Sequence, residues 1–388
     1  MRPSSRRRGT AALVGTAGIL AALLSCAATA QTTEKPHNAQ GAIAQAWGYN
    51  DSGQLGDGTT KNATVPVEVS ELSGVKAVAA GTGHSLALLE NGQVKAWGAN
   101  SFGQLGDGTT KNSTVPVEVS GLSGVKAVAV GAYHSLALLE NGQVRTWGYN
   151  DSGQLGDGTT KNATVPVEVA SLPGVKAVAA GTGHSLALLE NGQVKAWGNN
   201  FYGQLGDGTV NESNVPVEVA SLSGVKTVAA GTYHSLALLE NGQVKTWGSN
   251  GSGQLGDGTV NESNVPVEVA SLSGVKAIAA GGFHSLALLE NGQVKAWGAS
   301  GFGELGDGTT ENSNVPVDVS GLSGVKAVAA GTYHSLALLE NGQVKAWGYN
   351  FYGQLGDDTT KNSDVPVEVS GLSGVKAVAA GAFHNLAV

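Results

Sequence analysis

The chain has 388 residues, of which 59 are Gly and 13% are charged, and its formal net charge is −8. This length allows a large core, whereas so much Gly favours tight turns and argues against a helical bundle. A nucleic-acid-binding protein would need a basic stripe, and none follows residue 30, so we expect no nucleic-acid partner.

The N-terminal segment differs from the rest of the chain in composition. Arg6, Arg7 and Arg8 precede an apolar run at 11–25 that is too short to span a bilayer comfortably. Ala28-Thr29-Ala30 then supplies the small residues that a signal peptidase prefers. The pattern predicts a secretory signal over residues 1–30 and a short linker over residues 31–42.

A second way of processing this segment stays open. Leu23-Leu24-Ser25-Cys26 resembles a bacterial lipobox, which would leave Cys26 as a lipidated N-terminus. Cleavage after Ala30 would instead give a mature chain that begins at Gln31, has no Cys and carries a charge of −12, from 18 basic and 30 acidic residues. We therefore expect a secreted or cell-envelope bacterial protein that is stabilised by packing without disulfides and has no membrane span.

A repeat of fifty residues organises the remainder of the chain, and it recurs without an insertion. A period of this length indicates an array of supersecondary units. Trp-Gly begins at residues 47, 97, 147, 197, 247, 297 and 347, and a His stands at 84, 134, 184, 234, 284, 334 and 384.

Each unit contains four short predicted strands. The first unit has Val65–Val69, which carries a Pro as an edge strand can, followed by Val75–Ala80, His84–Leu89 and Gln93–Trp97. Asn91-Gly92 is a strong hairpin-turn signal between the last two. Val, Leu and Ala occupy both faces of the strands, which predicts sheets that are covered on both sides.

Seven such units predict an all-β fold, a seven-bladed β-propeller of four-stranded blades over residues 43–388. The chain ends at Phe383–Val388, which corresponds to the third predicted strand of a unit, and Ile43–Trp47 corresponds to a fourth strand. We predict that this N-terminal strand completes the last blade and closes the ring as a monomer without an open edge. The small residues of the Ala-rich strand suit the crowded axis.

The repeat also resembles a known family. Its G-x-x-H-S-L-A-L, G-x-V-x-x-W-G and G-Q-L-G-D-G-T segments are similar to the regulator of chromosome condensation repeat, and the resemblance covers residues 43–388 in seven copies. The resemblance implies a seven-bladed propeller, in agreement with the strand pattern.

The Tyr and Phe residues are confined to two loops of the repeat, at 82–83 and 99–102 in the copy that begins at Val75. Antiparallel strands place both loops on one side of the ring, which we call the top face. Tyr and Phe are typical interface anchors, so we predict a protein-binding face. Its expected residues are Phe102, Tyr133, Phe201, Tyr202, Tyr233, Phe283, Phe302, Tyr333, Phe351, Tyr352 and Phe383. Five of these occupy equivalent inner loops and should converge near the mouth of the ring: Tyr133, Tyr233, Phe283, Tyr333 and Phe383.

A purely structural role for these rings is the alternative, and it applies best to Tyr49, Tyr149 and Tyr349, which directly follow Trp-Gly. However, Gly83 and Gly183 occupy the inner loop in other copies, so blade packing does not require a ring there.

Signs of catalysis or of a cofactor are sparse. Each repeated His lies at the start of a strand on its own blade, so we expect structural hydrogen bonds and no metal. Asp57-Gly58 and its copies indicate a tight turn, not a calcium loop. Asp51 and Asp151 are the only acids that the loop pattern assigns to the top face, and they lie on different blades. We expect neither an enzyme nor a bound cofactor.

The function predicted from these features is an exported, non-catalytic propeller that binds another protein. The resemblance implies two narrower alternatives. Exported members of the family include an inhibitor of β-lactamases, so inhibition of a β-lactamase or a penicillin-binding protein is one of them. The other is guanine-nucleotide exchange on a GTPase, which the signal segment and the absence of an inserted wedge disfavour.

Overall fold

The computed structural model describes residues 43–388, and within that range it contains strands and turns but no helix. The strands are β1 (Gln45–Gly48), β2 (Ala63–Glu68), β3 (Val75–Ala80), β4 (His84–Leu89), β5 (Val94–Gly98), β6 (Ser113–Glu118), β7 (Val125–Val130), β8 (His134–Leu139), β9 (Val144–Gly148), β10 (Ala163–Glu168), β11 (Val175–Ala180), β12 (His184–Leu189), β13 (Val194–Gly198), β14 (Ser213–Glu218), β15 (Val225–Ala230), β16 (His234–Leu239), β17 (Val244–Gly248), β18 (Ser263–Glu268), β19 (Val275–Ala280), β20 (His284–Leu289), β21 (Val294–Gly298), β22 (Ser313–Asp318), β23 (Val325–Ala330), β24 (His334–Leu339), β25 (Val344–Gly348), β26 (Ser363–Glu368), β27 (Val378–Ala380) and β28 (His384–Ala387).

These strands form seven antiparallel four-stranded sheets, which confirms the predicted propeller. Six sheets are consecutive in the chain, as in the order β3-β4-β5-β6, and the remaining one has the order β2-β1-β28-β27. In that sheet Gln45 pairs with Ala387 and Gly48 pairs with His384. The N-terminal strand β1 therefore completes the last blade and closes the ring, as predicted.

The grouping of strands into blades differs from the prediction by one strand. The Pro-containing strand is the outermost strand of the blade that precedes it, since β6 pairs with β5 and not with β7. The N-terminal part of the chain thus supplies two strands to the closing blade, β1 and β2, and the C-terminal part supplies the other two. The sequence pattern identifies the strands, but it does not show across which turn a blade ends.

The Ala-rich strand is the innermost one, as its small side chains suggested. A cavity of about 80 Å³ on the axis is lined by the ends of these strands and the Gly that follows each of them. Close approach of the blades requires Gly here. A Cβ at Gly131 would overlap both the His134 ring and the carbonyl oxygen of Gly181 on the next blade.

Apolar side chains fill the spaces between neighbouring blades. Leu86 and Leu88 of one blade lie in the same buried cluster as Val128, Ala137 and Trp147 of the next. Both faces of each sheet are therefore covered, which explains why the strands lack a polar face. Among the described residues we find no helix long and apolar enough to cross a membrane.

Candidate protein-binding face

Two loops of each blade reach the top face. In the blade that begins with β3, the inner loop 81–83 joins β3 to β4 and the outer loop 99–112 joins β5 to β6. The outer loop of this blade meets the inner loop of the next blade, since the Phe102 and Tyr133 ring centroids lie 5.7 Å apart. The outer loop is longer than the segment 99–102 that the sequence pattern assigned to this face.

A buried belt of polar side chains lies beneath the loops and connects every blade to the next. His184 Nε2 lies 2.9 Å from Ser235 Oγ, and the Ser235 hydroxyl donates to the carbonyl oxygen of Gln204. The same carbonyl accepts the indole N–H of Trp247. Equivalent bonds recur around the ring and close between His384 and Ser85. The predicted structural role of the His residues is thereby confirmed.

The belt fixes the protonation of its imidazoles. Because the Ser235 hydroxyl donates to Gln204, its oxygen accepts the Nε2 proton of His184, and Nδ1 is left as a buried nitrogen without a partner. A second proton on that ring would have no acceptor. Burial accordingly lowers the pKa of His184 to about 3, with a smaller effect from the neighbouring His134.

An Asn at the start of each outer loop organises its fold. Asn50 Oδ1 accepts the backbone N–H of Leu55, while its amide donates to the carbonyl oxygens of Thr59 and Lys61. Six copies carry this Asn, and the remaining copy has Ser300 in its place. Ser300 makes longer contacts of 3.4 Å to the equivalent backbone groups of Leu305 and Thr309. In six copies, side-chain hydrogen bonds of this Asn therefore tie together the backbone of the loop that carries the rings.

None of the fourteen Tyr and Phe side chains is buried, in contrast to the seven Trp side chains, which are fully buried. Phe201 is 72% exposed and Phe351 is 65% exposed. Eleven of the rings form one continuous series of ring contacts across the top face. Its members, here called the aromatic array, are Tyr49, Phe201, Tyr202, Tyr233, Phe283, Phe302, Tyr333, Tyr349, Phe351, Tyr352 and Phe383.

Four of the five inner-loop rings come together as predicted. Tyr233, Phe283, Tyr333 and Phe383 follow one another with centroid separations of 6.5, 6.0 and 5.8 Å. The fifth ring, Tyr133, makes no ring contact with these four.

Tyr133 belongs to a separate and smaller group. It packs with Phe102 and Tyr149, because the inner loops on either side of it carry Gly83 and Gly183. Tyr133 therefore lies outside the series of ring contacts that the other four inner-loop rings form.

The Tyr residues that follow Trp-Gly also contact other rings. The Tyr49 ring lies 4.7 Å from that of Tyr352, and its hydroxyl donates to Asp51. Burial and the bond to Asp51 raise the pKa of Tyr49. In Tyr149 the bond to Asp151 is the largest cause of a raised pKa, so these two Asp carboxylates already have a partner on the protein.

The acidic content of the face exceeds the prediction. Asp51 and Asp151 are not its only acids, because the outer loops extend further than the pattern suggested and also carry exposed carboxylates such as Glu212, Glu262 and Glu311. The strand boundary, which the sequence pattern does not fix, determines whether these residues belong to the face.

Glu304 was missed altogether as a candidate. It replaces the Gln of the G-Q-L-G segment and is only 2% exposed. It accepts the backbone N–H of Phe302, and burial raises its pKa. The sequence offered one signal for it, since the other six copies carry Gln at this position.

The Asp57-Gly58 turn has the predicted form. Gly58 has a φ of +83°, and Asp57 accepts both the backbone N–H and the hydroxyl of Thr59. Within residues 43–388 no group of three or more His, Cys, Asp or Glu side chains is arranged to hold a metal ion.

Comparisons with known proteins agree with this geometry. A model of the RCC1-like domain matches residues 125–388, and models of the regulator of chromosome condensation (RCC1) repeat match residues 46–88, 91–138 and 75–104. The Ultraviolet-B receptor UVR8 of Arabidopsis thaliana is 42% identical over 52 residues, which is 13% of this chain and 12% of that receptor. The chain thus aligns with about an eighth of the length of this curated relative.

Solved structures match over most of their length. Prp20p of Saccharomyces cerevisiae, described together with its binding to Gsp1p and histones, is 26% identical with a TM-score of 0.80, over 90% of this chain and 92% of that one. Human WBSCR16 is 26% identical with a TM-score of 0.81, over 89% and 98% of the two chains. The RCC1-like domain model matches more than half of this chain. The chain therefore belongs to the regulator of chromosome condensation (RCC1) repeat family.

Proposed function

We propose that the chain is a non-catalytic propeller that binds another protein through the aromatic array. The observation that carries the proposal is the separation of its aromatic residues: every Trp is buried, whereas every Tyr and Phe lies in an inner or outer loop and retains solvent exposure. The likeness to Prp20p supports the proposal, because the partners named for that protein are themselves proteins.

The array has the physical properties of a protein-binding surface. Tyr and Phe provide large contact area with few rotatable bonds, so little conformational entropy is lost when they are immobilised. Contacts such as Phe283 with Tyr333, at 6.0 Å, hold the rings in place before a partner arrives. Preorganisation of this kind reduces the free-energy cost of association.

Blade stability does not explain the array. Gly83 occupies the position of these rings on one blade, and the belt bonds of His84 and Ser85 are unchanged there. An exposed ring that the fold does not need is a candidate for selection by an interaction.

The test begins with affinity purification, in which the purified protein serves as bait for the proteins of its source. Tyr233→Ala and Phe283→Ala should each weaken the captured partner by about 30-fold, which corresponds to about 2 kcal/mol at an interface centre. Both variants should melt close to the parent, because surface changes typically alter stability by about 0.5 kcal/mol. Glu290→Ala, in the exposed turn at the opposite end of the same blade, is the matched control and should change neither property. Retention of the partner by both aromatic variants would refute the proposal.

Export is the second part of the proposal. Residues 1–30, which include Cys26, lie outside the described residues, and the signal pattern of the sequence supports export. Intact mass of the secreted protein should show Gln31 as the first residue. A diacylglyceryl mass on Cys26 would show lipid anchoring instead, and an unprocessed chain inside the cell would refute export.

A further inference from the structure

Charge is distributed unevenly around the top face. Four consecutive outer loops contain nine carboxylates, of which Glu304 is buried, and one Lys. Their formal charge is −8, and we call them the acidic sector. The other three loops, the lysine sector, contain five carboxylates and three Lys, a formal charge of −2. The acidic sector comprises 199–212, 249–262, 299–312 and 349–362, and the lysine sector comprises 49–62, 99–112 and 149–162.

The difference comes from one repeat position and its neighbour. Lys61, Lys111 and Lys161 are exposed in the lysine sector. At the corresponding place, the acidic sector exposes Glu212, Glu262 and Glu311, although Lys361 remains at its far edge. Glu212 is held beside the rings, since the Asn199 side chain donates to its carboxylate and also contacts the backbone N–H of Phe201.

The aromatic array occupies the same part of the face. Its outer-loop rings, apart from Tyr49, all lie on the acidic sector. Its inner-loop rings run from Tyr233 to Phe383, and both ends contact rings of the acidic sector. The Tyr233 and Tyr202 ring centroids lie 5.1 Å apart, and those of Phe383 and Tyr352 lie 5.5 Å apart. The aromatic array and the larger negative charge therefore coincide over about half of the ring. The lysine sector carries fewer rings and a smaller net charge.

The rim of this sector has a gap. The two most exposed rings, Phe201 and Phe351, occupy the same repeat position on the first and last loops of the sector. The two loops between them carry Gly251 and Gly301 at that position. A Cβ at either Gly would meet nothing within 4 Å, so the space that a side chain would occupy at these two positions is open.

We propose that this gap receives a positively charged, Arg-bearing segment of the partner protein, which lies over the aromatic array between Phe201 and Phe351. The inference rests on the proposed binding function and specifies the chemistry of its partner. Guanidinium groups stack on aromatic faces and pair with carboxylates, and the sector presents both. Long-range attraction by its net charge would also accelerate association with a basic segment.

The first experiment measures peptide binding to the purified protein by fluorescence anisotropy at low salt. The probes are labelled peptides of equal length that alternate Gly with Arg, Lys or Glu. We expect the Arg peptide to bind at least tenfold more tightly than the Glu peptide and more tightly than the Lys peptide. Equal binding of the Arg and Glu peptides would overturn the inference, and equal binding of the Arg and Lys peptides would overturn the stacking role of the rings.

Charge reversal then locates the site. The double variant Glu212→Lys and Glu262→Lys should weaken the Arg peptide at least tenfold, because both side chains are exposed in the acidic sector. The matched control is Lys61→Glu with Lys111→Glu, which alters the opposite sector and should leave binding unchanged or slightly stronger. Equal weakening by the two double variants would place the site elsewhere.

Side chains placed at Gly251 and Gly301 test whether the Arg-bearing segment crosses the gap between Phe201 and Phe351. Gly251→Lys and Gly301→Lys introduce side chains into open space, and equivalent positions already carry Asp51 and Ser101, so folding should be unaffected. We expect at least tenfold weaker binding of the Arg peptide, whereas Ser101→Lys in the lysine sector should have no such effect. Parent-like binding by both Gly variants would refute the proposed path.

The outcomes also separate the two proposals. Loss of the natural partner in Tyr233→Ala, together with full retention in the gap and charge variants, would leave protein binding intact and refute the Arg-bearing segment. Retention of the partner in Tyr233→Ala and Phe283→Ala would refute both.

Discussion

The polar belt and the aromatic array lie a few residues apart in the chain wherever both occur, yet they differ in almost every physical respect. The belt is fully buried, hydrogen-bonded from blade to blade and almost identical in its copies, with Asn385 as the one replacement of its Ser. The array is exposed, and its inner-loop position holds Gly, Tyr or Phe in different copies. The comparison indicates that closure of the ring constrains the belt, whereas the rings above it are free to vary with what they contact.

Breaking the ring itself should have the largest effect. Deleting residues 43–50 removes β1 and Trp47, which leaves one edge of β28 unpaired and detaches β2 from the blade. We expect aggregation or loss of the cooperative melting transition, because an open propeller exposes two strand edges and the apolar faces between blades. Size-exclusion chromatography and thermal melting measure the outcome. A deletion variant that elutes and melts like the parent would contradict closure by β1.

Acid should break the belt next. Burial lowers the pKa of His234 to about 3, and the unfolded value is about 6.5, so the unfolded chain binds more protons between these values. Stability is therefore complete above pH 6.5 and falls as the pH decreases toward 3. At pH 5.5 each such His costs about 1.4 kcal/mol. The seven buried copies together cost about 10 kcal/mol, which is comparable with the total stability of a typical domain, about 5–15 kcal/mol.

Urea unfolding at pH 8, 6.5 and 5.5 tests this dependence, with linked proton uptake measured by calorimetry. We expect several protons to be taken up on unfolding at pH 5.5, where exposed carboxylates in the unfolded chain are still mostly ionised. A free energy of unfolding that stays constant from pH 7 to 5 would show that the imidazoles are not held neutral.

A single belt residue should have a smaller effect. Ser235→Ala removes the acceptor for His184 Nε2 and one of the two donors to the Gln204 carbonyl, which keeps the Trp247 indole N–H. The buried Nε2–H of His184 is then left without a partner. We expect a loss of about 1–3 kcal/mol in the free energy of unfolding. Asn385→Ser is the matched control, since Asn385 makes both equivalent bonds and six other copies make them with Ser. An unchanged free energy of unfolding in Ser235→Ala would show that this belt hydrogen bond does not stabilise the protein.

Features that are encoded within one repeat could be predicted from the sequence, whereas contacts between blades could not. The strands, the closure by the N-terminal strand and the exposure of the rings followed from a repeat of fifty residues and from the spacing of apolar and turn residues. The partners of His184 and Ser235 did not, because they lie 51 residues apart on different blades and only the ring brings them together.

The candidate face was predictable in composition but not in arrangement. The sequence placed Tyr133 with the other inner-loop rings, whereas Gly83 and Gly183 separate it from them in space. The acids of the face were underestimated because the length of the outer loop depends on where β6 begins.

The smallest expected effect concerns the turn at the edge of the array. Asp358 has a φ of +64°, where the equivalent residue in the other copies is Gly, and this conformation is unfavourable for most side chains. Asp358→Gly should therefore stabilise the protein by less than about 1 kcal/mol. Gly308→Asp is the reverse change on the neighbouring blade and should destabilise it by about as much. A lower melting temperature for Asp358→Gly together with a higher one for Gly308→Asp would contradict this strain.

Site-specific photo-crosslinking tests the central claim most directly. A benzoyl-phenylalanine at position 283, within the aromatic array, is compared with the same group at position 291, in the exposed turn at the other end of that blade. Each protein is irradiated with the captured partner, and the products are identified by mass spectrometry. The account predicts a covalent adduct with the partner from position 283 and none from position 291. An adduct from position 291 alone would show that the partner binds the opposite face and that the aromatic array is structural.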